Sequence, residues 1–230
     1  MNSDNALSDS WEKILFLLLG WLLGLLGPIV VDAIRRKHES KELKQAILAE
    51  LHQLQYKLSG TAYLTSLQTD QYDRQFVEWY KRIVSSYRGP LTSGPLPQAI
   101  DATLARTDQE IAEAGRRLKN PPGVSLGLKS FEAPLLKSKI GQLGSYSIPF
   151  QNVLLEILSR IRIVNEEIEQ FRFYFRQTLT ANGENRDLID GNIDGSYRAI
   201  RTQVMMISDH IDEAAMEENK PWMRWSWPKR

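Results

Sequence analysis

ILFLLLGWLLGLLGPIVV, residues 14–31, is the stretch that decides the architecture of this chain. It contains no charged residue, and as an α-helix rising 1.5 Å per residue it reaches about 27 Å, close to the ~30 Å hydrocarbon core of a bilayer. A helix on the surface of a soluble domain keeps one polar face, which this stretch lacks. The sequence therefore predicts one transmembrane helix over residues 14–34.

The charges on either side of this stretch predict its orientation. Residues 1–13 carry one lysine and three acids, whereas Arg35, Arg36 and Lys37 follow the stretch directly. An excess of Lys and Arg marks the cytoplasmic flank of a membrane helix. We therefore expect an extracytoplasmic N-terminus (1–13), the transmembrane helix (14–34), a cytoplasmic helical domain (35–219) and a C-terminal tail (220–230). The leucine-rich helix and the absence of cysteine favour a bacterial inner membrane as the compartment.

A cleaved signal peptide is the alternative interpretation of the same stretch. Val31-Asp32-Ala33 resembles a small-residue cleavage site. However, acidic residues precede the stretch and basic residues follow it, which is the reverse of the charge arrangement in secretory signals. The charge pattern therefore favours an uncleaved anchor.

Three glycines within the stretch allow a further hypothesis about self-association. Gly20 and Gly24 are four residues apart, and Gly27 extends the same face. This spacing lets two membrane helices approach closely, so the face is a candidate homodimer seam. Glycine is also common in transmembrane helices that do not pair. Both interpretations remain open at this point.

The composition of the whole chain excludes several classes of function. Its 29 Lys and Arg residues balance 28 Asp and Glu residues, so it lacks the basic surplus typical of nucleic-acid binders, and we expect no nucleic acid as a partner. It has no cysteine, which excludes disulfides, thiolate metal sites and a cysteine nucleophile.

Hydrophobic periodicity after the anchor predicts an all-α fold, namely an antiparallel helical bundle with long helices. Ser147 is a candidate N-cap, and Asn182-Gly183 a candidate end, for the longest helix. This helix and the next, joined by a short polar turn, are predicted to form an antiparallel pair. The apolar stripes run, in chain order, over residues 43–67, 76–87, 100–118, 135–143, 153–179 and 193–211.

The same stripes fit either a core or a coiled-coil surface between chains. Leu, Ile and Phe at these spacings more often form the inward face of a single-chain bundle, because one helix alone cannot cover its apolar stripe. We therefore expect packing within the chain, and keep pairing between chains as the alternative.

No catalytic constellation is found in the sequence. His38, His52 and His210 are widely separated, and neither a phosphate-binding glycine loop nor a nucleophile elbow occurs. We therefore expect no enzymatic activity, no cofactor and no metal site. Residues 190–196, DGNIDGS, match the first half of a calcium loop, but Arg201 occupies the twelfth position, where a bidentate Glu is required. A polar turn or the start of a helix is the simpler interpretation.

The C-terminal tail is the second distinctive feature of the chain. Interleaved Trp and Lys or Arg side chains suit a membrane interface, where indoles lie at headgroup level and cations meet anionic lipid. Packing on the bundle, binding of a partner and disorder are the alternatives. The candidate interface residues are Trp222, Arg224, Trp225, Trp227, Lys229 and Arg230.

Two functional hypotheses follow from these patterns. The first is a membrane-anchored interaction or scaffold protein that binds a protein partner at the cytoplasmic face, with the bilayer and a second copy as further partners. The second is a membrane-bound sensor or effector whose bundle binds a small ligand, with the Gly- and Pro-rich residues 121–149 lining a pocket.

Overall fold

The computed structural model describes residues 3–89, 95–121, 123–180 and 183–219, with the side chains of these ranges apart from residues 3–14, 184, 218 and 219. Every regular element in these ranges is a helix, which confirms the predicted all-α fold class. The elements are α1 (Ser3–Gln68), α2 (Arg74–Ser86), α3 (Leu96–Leu104), α4 (Asp108–Leu118), α5 (Pro134–Ser138), a 3₁₀ helix (Ile140–Ser145), α6 (Ile148–Gln177) and α7 (Glu184–Asn219).

The chain divides into two compact units, Met1–Ala46 and Ile47–Arg230, and α1 contributes residues to both. In the first unit the apolar stretch lies wholly within α1, which continues through Pro28. Exposed ion pairs one turn apart follow the stretch: Arg35 Nε lies 2.8 Å from Glu39 Oε1, and His38 Nε2 lies 3.1 Å from Glu42 Oε1. The four segment boundaries proposed from the sequence remain a prediction.

The second unit is organised around the antiparallel pair α6 and α7, as predicted. The Phe171 ring near the end of α6 packs against the Tyr197 ring of α7, with ring centroids 4.9 Å apart. Earlier in α6, Arg160 Nη1 donates to Gln203 Oε1 at 2.9 Å, farther along α7. The apolar stripes of both helices face the core. Fully or nearly fully buried side chains of the pair are Phe150, Leu154, Ile157, Val164, Ile168, Ile200, Val204, Ile207 and Ile211.

The C-terminal part of α1 packs antiparallel to α7. Gln55 Nε2 donates to Ser208 Oγ at 2.9 Å, whereas Arg201 Nε donates to Ser66 Oγ at 2.9 Å. Apolar side chains that recur every three or four residues line this side of α1, because such spacing keeps them on one face. The buried members of the predicted stripe are Ile47, Leu51, Leu54, Leu58 and Leu67.

One predicted helix over residues 100–118 is wrong, because the structure has two helices there, α3 and α4. The break has a local cause at Thr107, where a capping box starts a new helix. The Thr107 N–H donates to the Glu110 carboxylate at 2.8 Å, and the Glu110 N–H donates to Thr107 Oγ1 at 3.3 Å. Arg74 Nη1 donates to the carbonyl of Leu104 at 2.9 Å and so satisfies the end of α3.

The short helix predicted over residues 135–143 is instead α5 followed by the 3₁₀ helix. The carboxylate of Glu50 accepts hydrogen bonds from the N–H groups of Leu135 at 2.8 Å and Leu136 at 2.9 Å. Because these N–H groups have no partner inside their own helix, Glu50 supplies the cap that the sequence of α5 lacks.

The predicted ends of α6 also need correction. Ser147 precedes the helix, but its side chain makes no capping hydrogen bond. The helix ends at Gln177 rather than at Asn182-Gly183, so Leu179 lies beyond it and is 76% exposed instead of continuing the core stripe. At this end the Thr178 hydroxyl donates to the carbonyl of Phe175 at 2.7 Å and so satisfies one of the last carbonyls of the helix.

The connecting segment, residues 124–133, lies between α4 and α5 without regular structure. Asn165 of α6 binds both backbone groups of Phe131: its Nδ2 donates to the carbonyl and its Oδ1 accepts from the N–H, each at 2.8 Å. Arg172 Nη2 donates to the carbonyl of Leu128 at 2.7 Å. These bonds hold the connecting segment on α6, with Leu128 and Ala133 buried.

Candidate membrane anchor

The apolar stretch of α1 is exposed on every face. Within the part of the chain that the structure describes, one helix is long and apolar enough to cross a membrane, and none of its most apolar window is buried. Its exposed large apolar residues, 44–75% accessible, are Leu15, Phe16, Leu17, Leu18, Leu19, Trp21, Leu22, Leu23, Leu25, Leu26, Ile29, Val30, Val31 and Ile34.

Water is a poor surrounding for this surface. Full burial of one such side chain is worth roughly 1.5–3 kcal/mol. Because the fourteen side chains are about half exposed, their contact with water costs on the order of 15 kcal/mol in total. The free energy of unfolding of a typical domain is only about 5–15 kcal/mol. An apolar environment therefore suits this surface better than water, and a single-pass anchor is compatible with its length.

The three glycines of the candidate dimer seam contact nothing else in the described structure. A Cβ atom added at Gly20, Gly24 or Gly27 would meet no atom within 4 Å. Packing inside this chain therefore does not account for glycine at these positions. The seam remains a prediction about a second copy.

The predicted orientation residues lie directly after the apolar stretch in α1. Arg35, Arg36 and Lys37 are exposed, and Arg35 pairs with Glu39 one turn later. The candidate tail residues Trp222, Arg224, Trp225, Trp227, Lys229 and Arg230 lie outside the residues that the structure describes.

The partial calcium motif does not form a loop. Residues 190–201 lie inside α7, so they form neither the calcium loop nor the polar turn or helix start considered from the sequence. Asp190 pairs with Arg186 at 3.2 Å, and Arg201 lies over the Phe76 ring at 5.3 Å. Among the described residues, no group of three or more His, Cys, Asp or Glu is placed to hold a metal ion.

A cavity of about 400 Å³ lies in the second unit among the ends of α4 and α6 and the start of α7. Of the described residues in 121–149, which were expected to line a pocket, Pro121, Gly123 and Val124 line this cavity and the others do not. Three cations converge on it, but each has a carboxylate partner. The pairs are Arg116–Glu113 at 2.8 Å, Lys119–Asp70 at 2.9 Å and Arg186–Asp190 at 3.2 Å.

A polar network between α1, α2 and α7 was not predicted. Gln55 Nε2 reaches Asp212 Oδ1 at 2.9 Å as well as Ser208, and Asp212 Oδ2 pairs with Arg82 at 3.2 Å. Gln55 and Ser59 lie on the same buried face of α1 as Leu51 and Leu58. Polar residues that recur with the three- and four-residue spacing of a buried apolar stripe are the sequence signal that could have predicted this network.

Tyrosines fill the contact between α1 and α2. Tyr56 stacks on Tyr87 with ring centroids 4.1 Å apart, and Tyr63 stacks on Tyr80 at 5.3 Å. Burial raises the pKa of Tyr80 to about 12, with smaller contributions from neighbouring tyrosines. The Tyr80 hydroxyl is therefore neutral at physiological pH.

No protein-family model matches this chain, and neither curated proteins nor solved structures show a match to it.

Proposed function

We propose that this chain is a single-pass membrane protein whose helical bundle lies on the cytoplasmic side and acts by binding another protein rather than by catalysis. The observation that carries the proposal is the apolar surface of residues 15–34, which nothing in the described chain covers. The bilayer is the environment that fits a helix apolar on all faces over this length. A bacterial inner membrane fits the composition best.

The cytoplasmic side is supported by Arg35, Arg36 and Lys37, which follow the apolar stretch without a break in the helix. An interaction role is supported by a surface of mixed, locally paired charges. The cations around the cavity are matched by neighbouring acids, so they do not form a free anion-binding cluster. Self-association through Gly20, Gly24 and Gly27 is part of the same proposal.

Paired topology reporters at the C-terminus, one active only in the cytoplasm and one only outside it, test the anchor and its orientation. We expect the cytoplasmic reporter to be active and the full-length chain to resist carbonate extraction from membranes. Reversing Arg35, Arg36 and Lys37 to Glu is expected to lower the cytoplasmic signal, because these cations set the orientation. Lys57→Glu, an exposed position later in α1, is the matched control.

An external signal from uncleaved protein would overturn the orientation, and a shortened, cleaved product would overturn the anchor. The interaction role is tested by the mass of the detergent-purified protein. A strict monomer without any stoichiometric partner would contradict it.

The ligand sensor is the weaker proposal. Its support is the cavity among α4, α6 and α7, which is large enough for a small molecule. A charged ligand would have to displace the existing ion pairs of Arg116, Lys119 and Arg186. We therefore favour the interaction role.

A further inference from the structure

The cavity among α4, α6 and α7 combines apolar and polar lining residues. Tyr197 is buried, and Phe175 and Ile193 are half-buried, so part of the apolar lining comes from the α6–α7 pair. The volume of about 400 Å³ lies within the range of cavities that bind small organic molecules, roughly 300–1,000 Å³. The lining residues that the structure describes all belong to the unit Ile47–Arg230. The cavity is therefore a property of the bundle and does not depend on the anchor.

The arginines that line the cavity already have partners inside the chain. Arg116 donates to one oxygen of Glu113 through Nε at 3.1 Å and through Nη2 at 2.8 Å. Arg186 donates through Nε to Asp190 at 3.2 Å and through Nη1 to the carbonyl of Thr178 at 2.9 Å. An anionic ligand would therefore have to replace existing contacts of these side chains.

Asp194, in contrast, lines the cavity without a counter-charge. Its side chain is half-buried and forms neither an ion pair nor a hydrogen bond with any residue that the structure describes. Arg198, one turn later on α7, is exposed and does not pair with it. The carboxylate acts on a neighbouring ring of the cavity, since burial and then the charge of Asp194 raise the pKa of Tyr197. A cation that enters the cavity can thus pair with Asp194 without breaking an existing ion pair.

Two amide side chains of the lining add hydrogen-bond acceptors. Gln68 is the last residue of α1 and Asn120 follows α4, and neither side chain forms a hydrogen bond within the part of the chain that the structure describes. Each amide has a carbonyl oxygen that accepts hydrogen bonds. A primary ammonium group has three N–H donors, so one carboxylate and two amide oxygens match it in number.

We propose that this cavity binds a small organic cation, a primary amine with an aromatic or apolar body, whose ammonium group pairs with Asp194 and whose body packs on Phe175 and Tyr197. Aromatic rings suit such a ligand because they add apolar contact and because their faces attract cations. The proposal rests on the ligand-binding function given above as the weaker candidate, and it names the class of ligand for that function. It requires neither the anchor nor a protein partner.

Three probes that share one aromatic body and differ in charge test the proposal. Full-length protein in nonionic detergent is titrated with phenethylamine, phenethyl alcohol and hydrocinnamate by isothermal titration calorimetry, with titrations into empty micelles subtracted. We expect phenethylamine to bind saturably and at least about tenfold more tightly than the other two, because it alone carries an ammonium group. This comparison uses the unaltered chain, so it does not depend on the folding of a variant.

Asp194→Asn is expected to weaken the binding of phenethylamine by at least about tenfold, because it removes the charge that pairs with the ammonium group. Asp187→Asn is the matched control, since Asp187 is an exposed acid on the same helix that does not line the cavity. It removes the same charge and should leave the affinity unchanged. Circular dichroism of both variants checks that the helices are retained.

Equal affinities for phenethylamine and phenethyl alcohol, or an unchanged affinity in Asp194→Asn, would overturn the cation site and leave the cavity as a site for neutral aromatic molecules. Tighter binding of hydrocinnamate would overturn it as well, and would show that the cations of the cavity select the ligand. Absence of binding by all three probes would overturn both the cation site and the ligand-binding function. The topology reporters test the anchor separately from all of these outcomes.

Discussion

Gln55 places a polar group where α1 otherwise buries leucine and isoleucine. Its amide binds Ser208 and Asp212, and it is only 3% exposed. Gln55→Ala is expected to destabilise the bundle by about 1–3 kcal/mol, because the buried Ser208 and the half-buried Asp212 of α7 lose the hydrogen bonds that Gln55 donates. Chemical denaturation of the full-length protein in detergent, followed by circular dichroism, measures this loss.

The matched control for this substitution is Gln53→Ala, two residues earlier on the exposed side of α1. We expect it to change the free energy of unfolding by less than about 0.5 kcal/mol. Equal effects of the two substitutions would show that the hydrogen bonds of Gln55 do not contribute to the stability of the bundle.

At the scale of elements, the connecting segment depends on Asn165. Its side chain satisfies the N–H and the carbonyl of Phe131, in a segment that has no regular structure of its own. Asn165→Ala is expected to cost about 1–3 kcal/mol and to speed amide exchange at residues 124–133, while the α6–α7 pair stays protected. Hydrogen exchange with mass spectrometry resolves the two regions.

Asn152→Ala, in the first turns of α6, serves as the control because Asn152 is exposed. Uniform loss of protection over α6 and α7 in Asn165→Ala would contradict a local role for this side chain. Unchanged amide exchange at residues 124–133 in Asn165→Ala would contradict that role as well.

Elements with a long period of apolar residues could be predicted from the sequence, and elements set by contacts across the fold could not. The stripes of α1, α6 and α7 repeat over many turns and indicate both the helix and its buried face. The end of α3 depends on Arg74, thirty residues away, and the start of α5 depends on Glu50, eighty-five residues away. Such distant partners leave no local pattern in the sequence.

The candidate site shows the same division. The anchor could be predicted because a stretch of eighteen uncharged residues is visible in the sequence itself and depends on no contact with another helix. The hydrogen bond between Gln55 and Asp212 could not be predicted, because these residues meet only when α1 and α7 pair in the fold.

At the scale of the whole molecule, the two units predict that the bundle folds without the anchor. Every buried core residue belongs to Ile47–Arg230, among the side chains that the structure describes. Deletion of residues 1–34 is therefore expected to give a helical protein that no longer requires detergent. Circular dichroism and a single cooperative melting transition check the fold.

Deleting residues 1–13 alone, which keeps the apolar stretch, is the control and should leave the protein dependent on detergent. Aggregation of the 35–230 protein with loss of helical signal would show that the bundle needs residues 1–34 to fold.

The pairing of α1 with α7 has a consequence for biogenesis. Gln55 meets Ser208 across 153 residues of sequence, so the side of α1 that contacts α7 has no partner until the last helix leaves the ribosome. At a synthesis rate of about 5–20 residues per second, this delay lasts roughly 8–30 s. During that interval a holding chaperone has an apolar helix face to bind, and a chain truncated before α7 would stay in that state and be degraded.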